Sequence, residues 1–430
     1  MSCESNNATP PGPAIAPGAQ GLDPRRIAAA VGERGIDPRI TAVVPAFDAP
    51  FFQAGLAGYS DAAMRIVARR HGCPFCVTEA LLDRTLLAGG RGFDKADLGE
   101  LHDNIPGGEE DHPLAGQIMG SDPKEMAAAA VKMVEQKARS DKAYRKLAYA
   151  RDAGAEESST KPRVVTPLHA EPGASAQGGL SPGVESSFEV IDVNLACPVK
   201  KIEKKARGGH WLAEPDGAIA ILEAVREAVP ASVACTLKIR RAFDDTPEMA
   251  ANFDRILSAA FGMGYAWATV HARTVQQKYV GPSRWDLLRE IVARHPQRPI
   301  LGSGDVWGVD DIFRMIEYTG VSGVSVARGC IGNPWIFRQA RQMMAGSAPT
   351  APTIEEQRRV LRQHFELSLA VTRRFKHGED ATSKMMRKFG IRFAAHHPRG
   401  EEVRRRMIAI SSLADWTAVL EEFYSAPVGV

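Results

Sequence analysis

Residues 233–274 read VACTLKIRRAFDDTPEMAANFDRILSAAFGMGYAWATVHART, and this stretch decides the fold. A short apolar run ends in Lys238-Ile239-Arg240. A segment with helical spacing follows from Thr246 to Met263, opened by a Thr-Pro pair suited to a helix N-terminus. A second apolar run ends at Val270, with His271 and Arg273 directly after it. Strand, helix and strand, with polar residues at the strand ends, make a parallel βαβ unit.

The same order repeats on both sides. Apolar runs end near Ala57, Glu79, Ile118, Asn194, Ile239, Val270, Ser303 and Ala327. Helical patterns between them cover Asp61 to Arg70, Pro123 to Glu135, Pro215 to Ala228, Trp285 to Ala293 and Val309 to Tyr318. Eight such alternations predict an α/β fold, a closed (β/α)8 TIM barrel over about 41–345. After Pro334 the strand rhythm stops, so 346–430 reads as a separate C-terminal all-α domain. Its helices carry Arg358, Arg359, Arg362, Arg373, Arg374, Lys384, Arg387, Lys388, Arg392 and Arg404 to Arg406 among apolar positions. Residues 1–40 are rich in Ala, Pro and Gly and read as a disordered lead-in. The polar stretch 139–187 reads as an insertion, disordered in part. It follows a helix and precedes a strand, which puts it at the barrel bottom, away from the chemistry of this fold.

With 430 residues, 44% of them hydrophobic, the chain has ample material for a large core. Lys and Arg total 54 against 51 acids, so overall charge neither demands nor excludes a nucleic-acid partner. Six scattered cysteines read as free thiols of a reducing compartment. No secretory signal and no run of membrane-spanning length is visible, and the expectation is a cytoplasmic protein without an obligate protein partner.

The chemistry gathers at the strand ends. Gln117 lies late in the third strand, Asn194 ends the fourth, and Cys197 follows in Asn-Leu-Ala-Cys-Pro. Lys238 lies late in the fifth strand, and His271 and Arg273 follow the sixth. The seventh ends in Gly-Ser-Gly-Asp (302–305) and the eighth in Val-Ala-Arg-Gly (326–329). Loops after the last two strands of this barrel commonly hold phosphate, because glycine lets backbone N–H groups come close. Taken singly, each residue has a bland account: a turn glycine, an edge lysine, a structural histidine, a small buried cysteine. Together, at successive strand ends, they favour a cofactor site, and a phosphate beside inward Lys, His and Gln suits a flavin mononucleotide. Cys73-Pro-Phe-Cys76 has redox or zinc spacing but no second ligand pair, so no metal site is expected. The sequence does not decide a role for His396-His397.

The chain resembles the tRNA-dihydrouridine synthases, nearest their bacterial B-type branch. The likeness is carried by Ala57-Gly-Tyr-Ser-Asp61, Gln117-Ile-Met-Gly-Ser-Asp-Pro-Lys-Glu-Met126, Ile191-Asp-Val-Asn-Leu-Ala-Cys-Pro-Val-Lys-Lys201, Leu237-Lys-Ile-Arg240, His271-Ala-Arg-Thr274, Gly302-Ser-Gly-Asp305 and Ala327-Arg-Gly329 through Phe337. The resemblance implies reduction of tRNA uridine to 5,6-dihydrouridine, with FMN as cofactor and NADPH or NADH as reductant. It implies FMN contacts from Gly55, Leu56, Ala57, Gln117, Lys238, His271, Ser303, Gly304, Asp305, Ala327 and Arg328. Cys197 is the implied proton donor, with Asn194, Lys200 and Arg273 at the substrate, and the helical tail is the implied holder of tRNA. This chain has Gly55-Leu56-Ala57 where the family commonly has Pro-Met-Ala, and Ser303 where it has Asn. It also has Ala196 and Ala327 where Gly is common. Two rivals remain at this point: a flavin barrel for a free pyrimidine, against which the tail and Cys-Pro-x-Lys-Lys argue, and an inactive tRNA-binding paralogue.

Overall fold

The computed structural model describes residues 21–88, 109–135, 141–149, 188–198, 208–373 and 378–425. Strands β1 (Phe51–Gln53), β2 (Cys76–Val77), β3 (Leu81–Leu82), β4 (Leu114–Met119), β5 (Val190–Leu195), β6 (Ala234–Arg240), β7 (Ala268–His271), β8 (Ile300–Ser303) and β9 (Gly323–Val326) all pair in parallel. Both β2 and β3 pair with β4, so they form one stave interrupted at Thr78–Ala80. Counting that stave once gives eight, and the β1–β2 and β1–β9 pairings close the barrel. At the break, the Thr78 hydroxyl accepts the Gln117 N–H at 2.9 Å, so a side chain replaces a lost ladder bond.

The helices are α1 (Pro24–Arg34), α2 (Pro38–Thr41), α3 (Ala62–Arg70), α4 (Asp83–Ala88), α5 (Pro123–Val134), α6 (Asp141–Tyr149), α7 (Pro215–Ala228), α8 (Pro247–Gly262), α9 (Trp285–Arg294), α10 (Val309–Thr319) and α11 (Trp335–Met344), of which α3, α5, α7, α8, α9 and α10 lie where the sequence places them. Their starts are chemically set. Asp61 accepts from Met64 N, Asp122 from Lys124 N and Glu125 N, and Thr246 from Met249 N, the last two just before a proline.

Inward-facing strand positions change character from bottom to top. At the bottom Ala115, Val190, Leu301, Phe52 and Val77 pack with Phe47, Phe75 and Trp267 into an inner core. Higher come Gln117, Asp192 and Thr236, then Asn194, Lys238, His271 and Ser303. The alternate residues Leu237, Ile239, Val193 and Val270 are fully buried under the helices. The outer helical layer thus anchors each strand while the upper interior is left polar.

Three expectations need correction. Residues 21–41 are not a disordered lead-in, because α1 packs on α11 with Ile27 buried. Arg34 donates to Gly320 O and Val321 O at 2.7 and 2.8 Å, and Asp37 accepts from the Ser322 hydroxyl at 2.7 Å. The stretch 139–187 begins with α6, a helix packed against α4 and α5, while 150–187 lies outside the described residues. The C-terminal helices α12 (Ile354–Arg373), α13 (Glu379–Phe393), α14 (Gly400–Ala409) and α15 (Leu413–Tyr424) follow as the sequence predicts. They do not form a core apart, however. Met386, Phe389, Phe393, Met407 and Trp416 belong to one continuous apolar cluster with the barrel's outer layer. The Trp335 and Phe393 rings lie 4.7 Å apart. At Gly332 (φ 66°) a Cβ would come within 2.7 Å of Phe393 N, so glycine is what permits this close approach. Among the described residues no helix is long and apolar enough to cross a membrane.

Candidate active site

A cavity of about 340 Å³ opens at the carboxyl ends of the strands. Gly55, Leu56, Ala57, Gln117, Asn194, Cys197, Lys238, His271, Ser303, Gly304, Asp305, Ala327 and Arg328 all line it. Period-two alternation explains the convergence, since Asn194 and Lys238 are register partners on neighbouring staves, as are His271 and Ser303.

The floor is a hydrogen-bonded chain of buried side chains. The Thr236 hydroxyl donates to Asp192 Oδ1 and Gln117 Nε2 to Asp192 Oδ2, each at 2.7 Å. Asn194 Nδ2 donates to Gln117 Oε1 at 2.7 Å, and Ala196 N donates to Asn194 Oδ1 at 2.8 Å. Burial pushes the Asp192 carboxyl up, while the bonds from Thr236 and Gln117 and the charge of Lys238 pull it back. Burial lowers Lys238 to about 8, with Asp192 opposing and Arg240 reinforcing the fall. His271 is driven well below its ordinary value by burial and by Arg240, Lys238, Arg273 and Arg328. It is therefore neutral at pH 7, and its Nδ1 is buried without a hydrogen-bond partner among the described residues.

The rim after β8 and β9 is built differently. Gly304 (φ 115°) and Asp305 (φ 56°) take consecutive positive φ values. A Cβ on Gly304 would lie 2.3 Å from Ser283 Oγ. Asp305 is held in place by Arg273 Nη2 at 2.7 Å from both its oxygens and by Ser283 N at 2.7 Å. Arg328 lies 3.8 Å from Asp305, with its guanidinium 4.5 Å from the Trp307 ring centroid. Cations outweigh carboxylates around the cavity, so the site favours an anion.

Cys197 is partly exposed at the cavity wall and takes no part in a disulfide. Its carbonyl accepts Gly209 N at 2.9 Å. Arg240 Nε donates to Ala196 O at 2.8 Å, and its Nη1 reaches Thr274 O and Lys278 O, clamping the Cys197 loop to the loop after β7.

Residues 149–426 match the family model described as dihydrouridine synthase (Dus). The chain belongs to the dihydrouridine synthase family. A "Probable tRNA-dihydrouridine synthase" of Treponema pallidum (strain Nichols) is 28% identical over 377 residues, covering 86% of this chain and 92% of the relative. The "tRNA-dihydrouridine synthase B" of Pseudomonas putida is 28% identical over 373 residues, covering 86% of this chain and 90% of that one. Among solved structures, histamine dehydrogenase from Rhizobium sp. 4-9 is 13% identical with a TM-score of 0.43, over 74% of this chain and 49% of its own.

One of the residues expected in the site of this synthase is placed otherwise, and another cannot be compared. Arg273 does not line the cavity, because its guanidinium is committed to Asp305 and Gly281 O beneath the rim. Lys200 lies outside the described residues. Sequence reasoning missed three others. Tyr279 and Trp307 sit on loops with no periodic signal, and Tyr279 is exposed at the mouth beside Arg240 and Arg328. Asp192 was hidden in an apolar run, although its inward parity with Asn194 was available as a signal. Cys73 and Cys76 are buried with Sγ atoms 3.9 Å apart. Among the described residues no cluster of three or more His, Cys, Asp or Glu is arranged to hold a metal.

Proposed function

We propose that this dihydrouridine synthase reduces particular tRNA uridines to 5,6-dihydrouridine, with FMN in the cavity and NADPH (or NADH) as its reductant. One observation carries the proposal: Cys197, Lys238, His271 and the Ser303–Asp305 rim share a single cavity. The residues fit the cofactor. Among the described residues His271 Nδ1 has no hydrogen-bond partner, and Lys238 and Arg328 bring positive charge to the cavity.

Bound FMN would supply the hydride chemistry. Ser303, Gly304 and Asp305, with Ala327 and Arg328, would hold its phosphate. Lys238 and Gln117 would meet the polar edge of the ring system, with Gly55, Leu56 and Ala57 against its face. A side chain at Gly55 is barred, since a Cβ would sit 2.3 Å from Thr78 O. Cys197 holds the proton for uracil C5, which is general-acid work and requires the neutral thiol. Asn194, fixed from both sides, sets the turn that presents Cys197. Arg273 acts from behind, through Asp305.

The target base must leave its stack to reach the cavity. On α13, Lys384, Lys388 and Arg392 recur every fourth residue and share one face. Lys388 donates to Gly58 O and lies 5.3 Å from the Tyr59 ring centroid at the barrel rim, and Arg392 acts electrostatically on Arg328. That stripe runs beside the mouth and suits an RNA backbone. In this proposal 41–345 is the catalytic barrel and 346–430 its RNA-facing part. The deciding experiment has two parts: purified protein should release FMN on denaturation, and tRNA from cells lacking the gene should lose dihydrouridine at defined positions. Colourless protein that added FMN cannot reconstitute refutes the proposal.

A further inference from the structure

We propose that Asp192 is a positioning residue for the cofactor floor: it dictates which way the Gln117 and Asn194 amides point and keeps Lys238 in its charged form. This rests on the FMN assignment above. Asp192 lies below the cavity and does not line it. It is 4% exposed, yet both of its oxygens accept hydrogen bonds, from Thr236 and from Gln117.

A carboxylate accepts only, and that one fact orders the whole chain of amides. Gln117 must turn its nitrogen toward Asp192, so its oxygen faces Asn194. Asn194 must then offer its nitrogen to Gln117, which leaves its oxygen for Ala196 N, one residue before Cys197. Without an acceptor-only group at the end, either amide could reverse. A reversed Gln117 would exchange the nitrogen and oxygen it now turns to Asp192 and Asn194, and a reversed Asn194 would cost the turn holding Cys197 its bond.

The second part concerns charge. Asp192 and Lys238 line the same small cavity beneath the floor, and among the described residues the charges acting on Lys238 are Asp192 on β5 and Arg240 on its own strand. Neutral His271 and the uncharged Gln117 and Asn194 flank it. Of these groups, Asp192 favours the ammonium. Burial and Arg240 disfavour it, so Asp192 opposes the loss of the Lys238 proton.

The test is FMN affinity as a function of pH in the wild type and in Asp192→Asn. In the wild type, affinity should fall as Lys238 deprotonates, on the alkaline side of neutrality. In the variant that fall should move at least one unit toward acid, about tenfold in proton affinity. A residue that only filled space would weaken affinity equally at every pH, and a parallel profile overturns the proposal. If Asp192→Asn does not fold, the double variant Asp192→Asn/Lys238→Met removes both buried charges together and should fold. A double variant that stays unfolded while Lys238→Met alone folds would make Asp192 a core residue and end the proposal. Should the wild type bind no FMN, the cofactor assignment fails separately. Lys238 titration, followed by NMR of nitrogen-labelled lysine, then still reads the effect of Asp192.

Discussion

Arg273 Nη2 lies 2.7 Å from both carboxylate oxygens of Asp305, and the pair is nearly inaccessible to water. Asp305 is a non-glycine residue at φ 56°, a conformation that costs about 1 kcal/mol or more. The guanidinium offsets that cost and shapes the rim. Arg273→Ala should therefore weaken FMN retention by about ten- to a hundredfold, because a buried carboxylate loses its partner. At saturating FMN, the KM for tRNA should stay near its wild-type value. A raised KM with unchanged FMN affinity would place Arg273 at the substrate instead.

Cys197→Ala separates the two halves of the reaction. FMN binding and its reduction by NADPH should persist, while uridine reduction falls about 10²- to 10⁴-fold. Single-turnover measurement with pre-reduced enzyme gives the comparison. Unchanged turnover would assign the proton to another group.

His364 should make stability depend on pH. It is buried against Phe389, with ring centroids 4.3 Å apart, and burial lowers it to about 4. The unfolded chain takes up the proton near pH 6.5 and the folded chain does not. Full stability is thus present above about pH 6.5 and declines toward pH 4, by about 1.4 kcal/mol per unit. Urea unfolding across this window should show that His364→Phe flattens the slope. Equal slopes would trace the loss to other groups.

Charge reversal on α13 tests the RNA face better than deletion of the tail. Trp335 is fully buried and packs on Phe393, so truncation near Ala345 would strip the barrel's last helix of its cover. Lys384→Glu with Arg392→Glu leaves that packing alone. It should weaken tRNA binding and lower the slope of log affinity against log salt by about one for each phosphate no longer neutralised. FMN reduction should be unaffected. An unchanged slope would make the stripe a solvated surface.

The barrel was legible because its signals are local. An apolar run with a polar end identifies a strand and its top whatever else surrounds it, and Gln117, Lys238 and His271 were found that way. The broken stave was not, because two-residue strands carry no period. Helices α1 and α2 were missed because their composition is that of a linker. Their order comes from partners about 285 residues away, such as Arg34 with Gly320 and Asp37 with Ser322. Likewise Asp192 gains its meaning from Gln117, Thr236 and Lys238 on neighbouring staves, and no window along the chain contains all of them. The placement of Arg273 escaped for the same reason, since its position after a strand was visible but its commitment to Asp305 was not.

The aromatic plug at the barrel bottom has a kinetic consequence. Phe47 sits among Phe52, Phe75 and Trp267 at centroid distances of 5.5–6.5 Å, and Ile40 and Val44 close the end behind it. Among the described residues the plug closes the lower end of the barrel, so under the proposed function electron donor and RNA would both approach from the strand carboxyl ends. If they use that shared approach one after the other, initial rates measured with both substrates varied should give parallel double-reciprocal lines, the mark of a ping-pong cycle, whereas intersecting lines would show a ternary complex.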